Sequence, residues 1–307
     1  MEGIYVKNRN EALSLLGVPM DLGADRRGVD MGPSAIRYAA VKERLDDLGY
    51  EVEDLGNIQV PTPESYTVGH QQLKYLREIT SVSVELADQV SNIKDRGRFP
   101  LILGGDHSIA IGSIAGAARH HRNMGVIWFD AHGDLNTEET TPSGNIHGMP
   151  LAVSLGIGHP DLVEIGGIYP KVKPDHVVVI GARDLDPGEQ ELIRELGIKV
   201  YTMYDIDRLG MAQVMEETIS IVSNGTDGVH LSLDLDGMDP NESPGVGTPV
   251  PGGMTYRESH LAMELLAEAQ VITSAEFVEV NPILDSGNKT AKNAVELIRS
   301  VFGAKTL

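Results

Sequence analysis

The sequence predicts an α/β protein whose helices cover a mainly parallel β-sheet. Apolar runs rich in β-branched residues recur along the chain and alternate with segments of helical periodicity. Several of these runs are apolar at every position, as expected of parallel strands that are buried on both faces.

The predicted elements alternate along the whole chain. Strands are predicted at residues 13–18, 100–103, 126–129, 177–182, 199–202, 229–235 and 271–280. Helices are predicted near residues 33–48, 63–94, 108–121, 187–196, 211–223, 256–268 and 289–301. Because no repeat, low-complexity tract or Gly-, Pro- or Ser-rich linker divides the 307 residues, we expect a single domain spanning residues 1–307.

Composition excludes several kinds of site. The chain has no cysteine, which rules out disulfides, thiolate nucleophiles and cysteine-ligated zinc. Its net charge of −20 would repel the phosphates of nucleic acid, and no apolar run approaches the roughly 18 residues that a membrane span needs. The charge favours cationic small molecules and metal ions, although solubility alone would account for it. We expect a cytoplasmic protein that binds neither nucleic acid nor membrane.

Acidic residues and histidines follow three of the predicted strands. They are Asp106 and His107 after the first, Asp130, His132 and Asp134 after the second, and Asp234 and Asp236 at the third. Open α/β sheets bind their ligands at the carboxyl ends of the strands, and the long polar loops 130–149 and 234–254 begin there. Alternate side chains share one face of an extended chain, so each cluster is expected to converge if its strand end stays extended.

Four buried carboxylates would repel one another unless cations neutralise them. Two divalent ions carry +4 against the −4 of Asp130, Asp134, Asp234 and Asp236. Oxygen ligands with imidazoles and no sulfur suit Mn²⁺, with Co²⁺, Ni²⁺ or Fe²⁺ as substitutes and Mg²⁺ less suited. A single aspartate after a strand often caps a helix or forms a turn, and we interpret Asp106 and Asp239 as supporting residues of that kind. The remaining polar residues of the third strand, His230 and Ser232, are interpreted as buried structural residues.

These segments resemble the arginase family of ureohydrolases. The resemblance is carried by GGDHS at 104–108, DAHGD at 130–134, SLDLDGMDP at 232–240, GVGTPVPGG at 245–253 and EVNP at 279–282. An upstream GVDMGP at 28–33 also fits, so the motifs run from near the start of the chain to residue 282. The resemblance implies a three-layer α/β/α domain and a trimer or hexamer.

The resemblance also implies a ligand set for two Mn²⁺ ions. The family's ligands fall on His107, Asp130, His132, Asp134, Asp234 and Asp236. Asp130 and Asp234 would bridge the ions. His107 and Asp134 would complete one ion, and His132 and Asp236 the other.

The implied reaction is hydrolysis of L-arginine to L-ornithine and urea. The family's substrate-binding positions fall on Asn136, Thr141, Ser143, Asn145, Asp186, Glu189 and Thr248, and its catalytic positions on Asp134, His147 and Glu279. The neutral groups of the 136–145 loop would hold the α-carboxylate, and Asp186 the α-ammonium group. Asp134 would relay a proton and His147 would exchange protons with solvent, while Glu279 would accept hydrogen bonds from guanidinium.

The sequence alone leaves alternative functions open. Agmatinases, guanidinobutyrases and formiminoglutamases share the metal motifs, and agmatine lacks the carboxylate that the polar loop would bind. The loop is also compatible with an ordinary polar turn, since Asn, Ser, Gly and Pro favour turns. A metal-binding homologue without activity is the remaining alternative. No P-loop, dinucleotide-binding or serine-hydrolase motif is present.

Overall fold

The eight long strands form one parallel sheet. The computed structural model describes residues 12–305. In chain order its strands are β1 Ala12–Val18, β2 Glu51–Asn57, β3 Gly69–His70, β4 Leu73–Lys74, β5 Phe99–Gly104, β6 Met124–Phe129, β7 Val177–Ala182, β8 Lys199–Thr202, β9 Gly228–Asp234 and β10 Ile272–Val278. The order across the sheet is β2-β1-β5-β10-β9-β6-β7-β8, and every neighbouring pair is parallel. The two-residue strands β3 and β4 pair separately as an antiparallel hairpin.

Helices cover both faces of the sheet. They are α1 Gly32–Tyr38, α2 Val41–Asp46, α3 Leu76–Asp95, α4 Ala110–Ala118, α5 Pro150–Ser154, α6 Pro160–Val163, α7 Pro187–Leu196, α8 Met203–Leu209, α9 Met211–Val222, α10 Tyr256–Ala269 and α11 Lys289–Val301. No helix within residues 12–305 is long and apolar enough to cross a membrane.

Each face of the sheet has its own hydrophobic core. Strand side chains alternate between the faces, so Ile127 and Phe129 pack with α9, α10 and α11, while Val126 and Trp128 pack with α3, α4 and α5. Both sets are fully buried, which explains why the central strands are apolar at nearly every position. The predicted α/β class with three layers and a mainly parallel sheet is confirmed.

Two predicted helices have different bounds in the structure. The segment 33–48 is split into α1 and α2, because Ala40 adopts a left-handed φ of 66° between them. The segment 63–94 begins instead as a 3-10 turn at Pro63–Ser65, followed by the β3–β4 hairpin. Its helix, α3, starts only after Tyr75, which has a φ of 54°.

Strand β2, the short hairpin β3–β4 and the helices α5, α6 and α8 were not predicted. The sequence of β2, EVEDLGN, has three acidic residues among its seven and is mostly exposed, because β2 lies at the edge of the sheet. Its carboxylates pair with arginines of neighbouring segments, as in the Arg37–Asp54 contact of 2.8 Å. Helix α8 directly follows β8 and begins with a capping box of Thr202 and Asp205.

Candidate metal and substrate site

The candidate site lies at the carboxyl ends of the four central strands, β5, β10, β9 and β6. His107 follows β5, and Asp130 follows β6. Asp234 is the last residue of β9, and Glu279 comes directly after β10. The parallel arrangement therefore brings residues 172 positions apart in the chain, such as His107 and Glu279, into hydrogen-bond contact.

The two acidic clusters converge without extended backbone. Strand β6 ends at Phe129, and Asp134 reaches the site with a left-handed φ of 52°. After Asp234 the chain turns into a short 3-10 helix, Leu235–Gly237, which carries Asp236. The expected convergence is therefore present, but the extended geometry from which we predicted it is wrong. Local turns that the carboxylates themselves stabilise replace it, since Asp234 accepts a hydrogen bond from the Asp236 amide at 2.7 Å.

Two groups of ligand atoms share Asp130. In the first, His107 Nδ1 lies 3.1 Å from Asp130 Oδ2, 3.0 Å from Asp134 Oδ2 and 3.2 Å from Asp234 Oδ2. In the second, His132 Nδ1 lies 3.2 Å from Asp130 Oδ1 and 3.3 Å from Asp236 Oδ2. Each oxygen of Asp130 thus faces a different group, and the two groups are adjacent.

The site concentrates buried negative charge. Asp130 and Asp236 are almost completely buried, at 0% and 1% exposure. Burial and repulsion from Asp130 raise the pKa of Asp134 to about 6, and they also raise the pKa of Asp236. Burial and repulsion from Asp236 raise the pKa of Asp234 well above its usual value. These pKa values rise because the carboxylates are buried close to one another with too little positive charge to compensate them.

The residues present fit two divalent cations. His107 Nδ1 and Asp134 Oδ2 are buried and have no hydrogen-bond partner in the described structure, although they face one another. Buried polar atoms of native proteins are nearly always satisfied, so unpartnered donor atoms that converge indicate a ligand. Four carboxylates and two imidazoles are a donor set for Mn²⁺, Fe²⁺, Co²⁺ or Ni²⁺ rather than for Ca²⁺ or structural zinc.

A polar cavity of about 150 Å³ adjoins the acidic cluster. All seven predicted substrate-binding residues line it together with His147, namely Asn136, Thr141, Ser143, Asn145, Asp186, Glu189 and Thr248. Asp134, Asp234 and Asp236 form part of its wall. A larger cavity of about 450 Å³ contains none of the predicted site residues. The smaller one is the candidate substrate site, because it alone of the two borders the cluster.

Glu189 holds the polar loop rather than facing the cavity freely. One carboxylate oxygen accepts the Leu135 amide at 3.0 Å, and the other accepts the Asp186 amide at 2.8 Å. The second bond belongs to the capping box at the start of α7. Burial raises the pKa of Glu189 to about 7. Asn136 Nδ2 in turn donates to Asp186 Oδ2 at 2.8 Å, so the loop and the start of α7 form one unit.

Glu279 joins the site to His147. Its backbone has a left-handed φ of 63°, and its Oε1 accepts the His107 amide at 2.9 Å. The same oxygen lies 3.1 Å from His147 Nδ1. Burial alone would lower the pKa of His147, but the contact with Glu279 outweighs it and raises that pKa to about 9. Glu279 lines an adjoining cavity with His147 and Thr248 rather than the cavity that holds the polar loop.

Asp106 and Asp239 support turns near the site, as we interpreted from the sequence. Asp106 is fully buried and accepts amide hydrogens from Gly23 at 2.7 Å and Ser108 at 3.0 Å. Asp239 accepts the amides of Asn241 and Gly252. Both carboxylates are occupied by backbone donors and stabilise turns.

Two residues that support the site were missed from sequence. Trp128 Nε1 donates to Asp130 Oδ2 at 3.0 Å, and the indole stacks on His107 with ring centroids 4.2 Å apart. Its position two residues before Asp130 was the available signal, since both side chains share a face. Arg183 donates to five main-chain carbonyls, including those of Asp236 and Val250, and so clamps the loop that carries Asp236. Its sequence context gave no sign of this role.

The fold and the site together define a hydrolase of the ureohydrolase class. The family model described as "Arginase family" matches residues 11–303. The chain belongs to the arginase family, and it is an enzyme that hydrolyses linear amidines.

Curated relatives and solved structures agree with this assignment. The arginase of Bacillus caldovelox is 64% identical over 296 residues, which cover 96% of this chain and 99% of that protein. The arginase of Bacillus subtilis (strain 168) is 62% identical over 298 residues, covering 97% of this chain and 100% of the relative. The native structure of the B. caldovelox arginase superposes with a TM-score of 0.94, covering 96% of this chain and 99% of that one. The structure of Entamoeba histolytica arginase in complex with L-ornithine is 35% identical, with a TM-score of 0.89 over 96% of this chain and 99% of that one.

Proposed function

We propose that this chain is a manganese-dependent arginase that converts L-arginine and water to L-ornithine and urea. The observation that carries the proposal is the pair of ligand groups sharing Asp130, which borders a cavity lined with neutral polar side chains. The assignment of L-arginine is supported by the family and by the Entamoeba relative, whose structure contains L-ornithine.

Six side chains would hold two Mn²⁺ ions. They are His107, Asp130, His132, Asp134, Asp234 and Asp236. Asp130 would serve both ions, which is supported by its two oxygens facing different ligand groups. When bound, such ions lower the pKa of water toward about 7 and supply a nucleophile near neutral pH. Trp128 restrains the shared carboxylate by donating to Asp130 Oδ2 at 3.0 Å.

The polar cavity would orient the amino-acid end of arginine. Asn136, Thr141, Ser143 and Asn145 line one wall and carry no charge. Neutral donors can bind the α-carboxylate without adding a cation that would compete with the metal ions. Asp186 lies in the same cavity and supplies a carboxylate for the α-ammonium group. Agmatine has no carboxylate for the neutral wall, so this arrangement favours arginine.

Asp134 and His147 would move the protons of the reaction. Hydrolysis transfers a proton from the attacking water to the departing ornithine nitrogen, and Asp134 lies where the cluster meets the cavity. The Asp134 carboxylate can accept that proton and return it to the leaving group. His147 is 19% exposed and also lines the cavity, so it can exchange protons with solvent. Glu279 holds the His147 ring at 3.1 Å and supplies negative charge near the guanidinium.

The same proposal includes a single catalytic domain, assembly into a trimer or hexamer, and a cytoplasmic location. The family match supports a single unit, because it extends over residues 11–303. A gel-filtration measurement with light scattering tests the oligomeric state.

A two-substrate assay tests the proposed reaction. Urea release is measured from L-arginine and from agmatine with protein loaded with Mn²⁺. We expect arginine to be turned over at least tenfold more efficiently, measured as kcat/KM. Equal or faster turnover of agmatine would reject the choice of substrate. Absence of urea from both substrates would support the inactive homologue instead.

The substrate loop supplies the matched variants for that assay. Asn136→Ala removes a side chain that lines the cavity, whereas Asn224→Ala changes an asparagine outside the residues that line it. The first change should raise KM for arginine, and the second should leave both kinetic constants unchanged. A KM for arginine that does not respond to Asn136→Ala would contradict the placement of the α-carboxylate.

A further inference from the structure

A fully buried row of polar side chains crosses the sheet beneath His107. Trp128 of β6, Ser232 of β9 and Glu276 of β10 are direct cross-strand neighbours. All three have 0% exposure. They lie on the face covered by α3 and α4, among apolar strand residues where an ionisable group is costly to bury. A carboxylate kept in this place calls for an explanation.

Ser232 and Glu276 form a continuous chain of hydrogen bonds that ends on His107. His107 Nε2 lies 2.7 Å from Ser232 Oγ, and Ser232 Oγ donates to Glu276 Oε1 at 2.8 Å. The other carboxylate oxygen, Oε2, accepts from Ser113 of α4 at 2.5 Å. Glu276 thus touches no proposed metal ligand itself and reaches His107 only through Ser232.

The hydrogen-bonding capacities of Glu276 and Ser232 determine which ring nitrogen of His107 carries the hydrogen. An ionised carboxylate can only accept hydrogen bonds, so Ser232 must use its single hydroxyl hydrogen on Glu276. The hydroxyl oxygen is then available only as an acceptor towards His107, and Nε2 must carry the hydrogen. His107 Nδ1 is left with a free lone pair, and it faces Asp130, Asp134 and Asp234 at 3.0–3.2 Å.

The surroundings keep Glu276 ionised. Burial alone would raise the pKa of Glu276, but His230, whose Nε2 lies 3.4 Å from Oε1, and the donors to both oxygens outweigh burial and lower it. His230 itself is held by Ser274, which lies 2.8 Å from its Nδ1. The four residues form two cross-strand pairs on the same face of the sheet, Ser232 with Glu276 and His230 with Ser274, separated by the pair Leu231 with Ala275.

We propose that Glu276 is a positioning residue that acts through Ser232 to hold His107 in the tautomer whose Nδ1 binds a metal ion. The inference rests on the proposed function, because it assumes that His107 is a ligand. It gives Ser232 a role beyond the structural one that we interpreted for it from sequence, whereas His230 keeps its structural interpretation. The signal available in sequence was Glu276 itself, the one charged residue in the strand ITSAEFV.

Partners that orient a ligating histidine typically change metal affinity by 10- to 100-fold when removed. Glu276→Gln keeps the size of the side chain but adds an NH₂ group that can donate to Ser232. Ser232 can then donate to Nε2, which would move the His107 hydrogen to Nδ1. Ser232→Ala removes the link without that reversal. We therefore expect both variants to bind one of the two Mn²⁺ ions about 10- to 100-fold more weakly, with Glu276→Gln affected at least as strongly.

Ser274→Ala is the matched control. It also removes a fully buried hydroxyl bonded to a histidine ring, at 2.8 Å compared with 2.7 Å for Ser232. Its cross-strand pair with His230 lies two residues farther along the strands from the site than the pair of Ser232 and Glu276. Its Mn²⁺ affinity should equal that of the wild type. Thermal unfolding of the metal-free proteins reports the purely structural cost of each change separately.

Metal titration of the full chain without substrate is the deciding experiment, with free Mn²⁺ followed by electron paramagnetic resonance. Weakening of one ion in Ser232→Ala and Glu276→Gln, with wild-type binding in Ser274→Ala, supports the proposal. Wild-type affinity in both test variants, or equal weakening in all three, would overturn it. If Glu276→Gln fails to fold, Ser232→Ala decides alone. Because binding is read without arginine, a wild type that binds two ions but releases no urea would reject the proposed function and not this inference.

Discussion

Substitution of Gly105 by alanine tests whether close packing between the segments that follow β1 and β5 positions the site. Gly105 follows β5 and immediately precedes Asp106 and His107. An alanine Cβ there would lie 1.9 Å from the carbonyl oxygen of Met20 and 2.5 Å from the Met20 nitrogen. Both are backbone atoms, so no side-chain rotation relieves the clash. The φ of Gly105 lies outside the left-handed region, and the cost therefore comes from space alone.

The magnitude follows from the contacts that must open. A separation of 1.9 Å has to grow by more than 1 Å before it reaches the range that real Cβ atoms show. That movement would break the bonds from Gly105 N to Val18 O at 2.8 Å and from Asp106 N to Met20 O at 2.9 Å. Overpacking costs about 1–3 kcal/mol, and each lost buried hydrogen bond about 1 kcal/mol. We expect Gly105→Ala to lower the free energy of unfolding by roughly 3–5 kcal/mol.

Urea unfolding of the metal-free protein and titration with Mn²⁺ measure the two consequences. The displaced loop carries His107, so Mn²⁺ affinity should fall together with stability. Gly148→Ala is the control, since its Cβ would meet nothing within 4 Å and its φ is not left-handed. It should change the free energy of unfolding by no more than about 0.5 kcal/mol. A loss below 1 kcal/mol in Gly105→Ala, with unchanged Mn²⁺ binding, would refute the reasoning.

Three further predictions concern stability, pH and the loop clamp. Burial lowers the pKa of Lys171 to about 8 from 10.5, and within residues 12–305 its ammonium donates only to the Val163 carbonyl. Lys171→Met should therefore stabilise the fold by about 2 kcal/mol below pH 8. Urea unfolding should show this gain in stability vanishing as the pH rises to 10.5. A gain that does not depend on pH would contradict the reasoning. Thr255→Ala removes the capping box with Glu258 at the start of α10 and should cost about 1 kcal/mol in the same assay, whereas no measurable loss would contradict that cap. Arg183→Lys cannot reach five carbonyls, so isothermal titration should find one Mn²⁺ bound at least tenfold more weakly, and wild-type binding would show that the clamp is dispensable.

The buried part of the sheet could be predicted from the sequence, and its edge could not. Strands such as β6 and β7 are apolar at nearly every position because helices cover both of their faces. The edge strand β2 has no such requirement, since its side chains face solvent and arginines. Its acidic sequence is therefore indistinguishable from a loop. The breaks at Ala40 and Tyr75 place a left-handed backbone at residues that carry no turn signature, so the sequence does not reveal them.

The residue types of the site could be predicted more fully than its geometry. Carboxylates and histidines after strands indicate metal binding wherever parallel strands end at one edge. The turns at Asp134 and Leu235–Gly237 could not be predicted, because they are stabilised by hydrogen bonds to the ligands themselves. Supporting residues such as Arg183 were missed for a related reason. Their partners are main-chain carbonyls of distant segments, which leave no pattern in the sequence.

Anomalous X-ray diffraction from crystals grown with Mn²⁺ tests the central claim most directly. The account predicts two manganese peaks per chain, about 3.5–4 Å apart, with Asp130 bound to both. His107 should bind one ion and His132 the other, as their contacts with opposite oxygens of Asp130 require. A single peak, or two peaks that do not share Asp130, would contradict it.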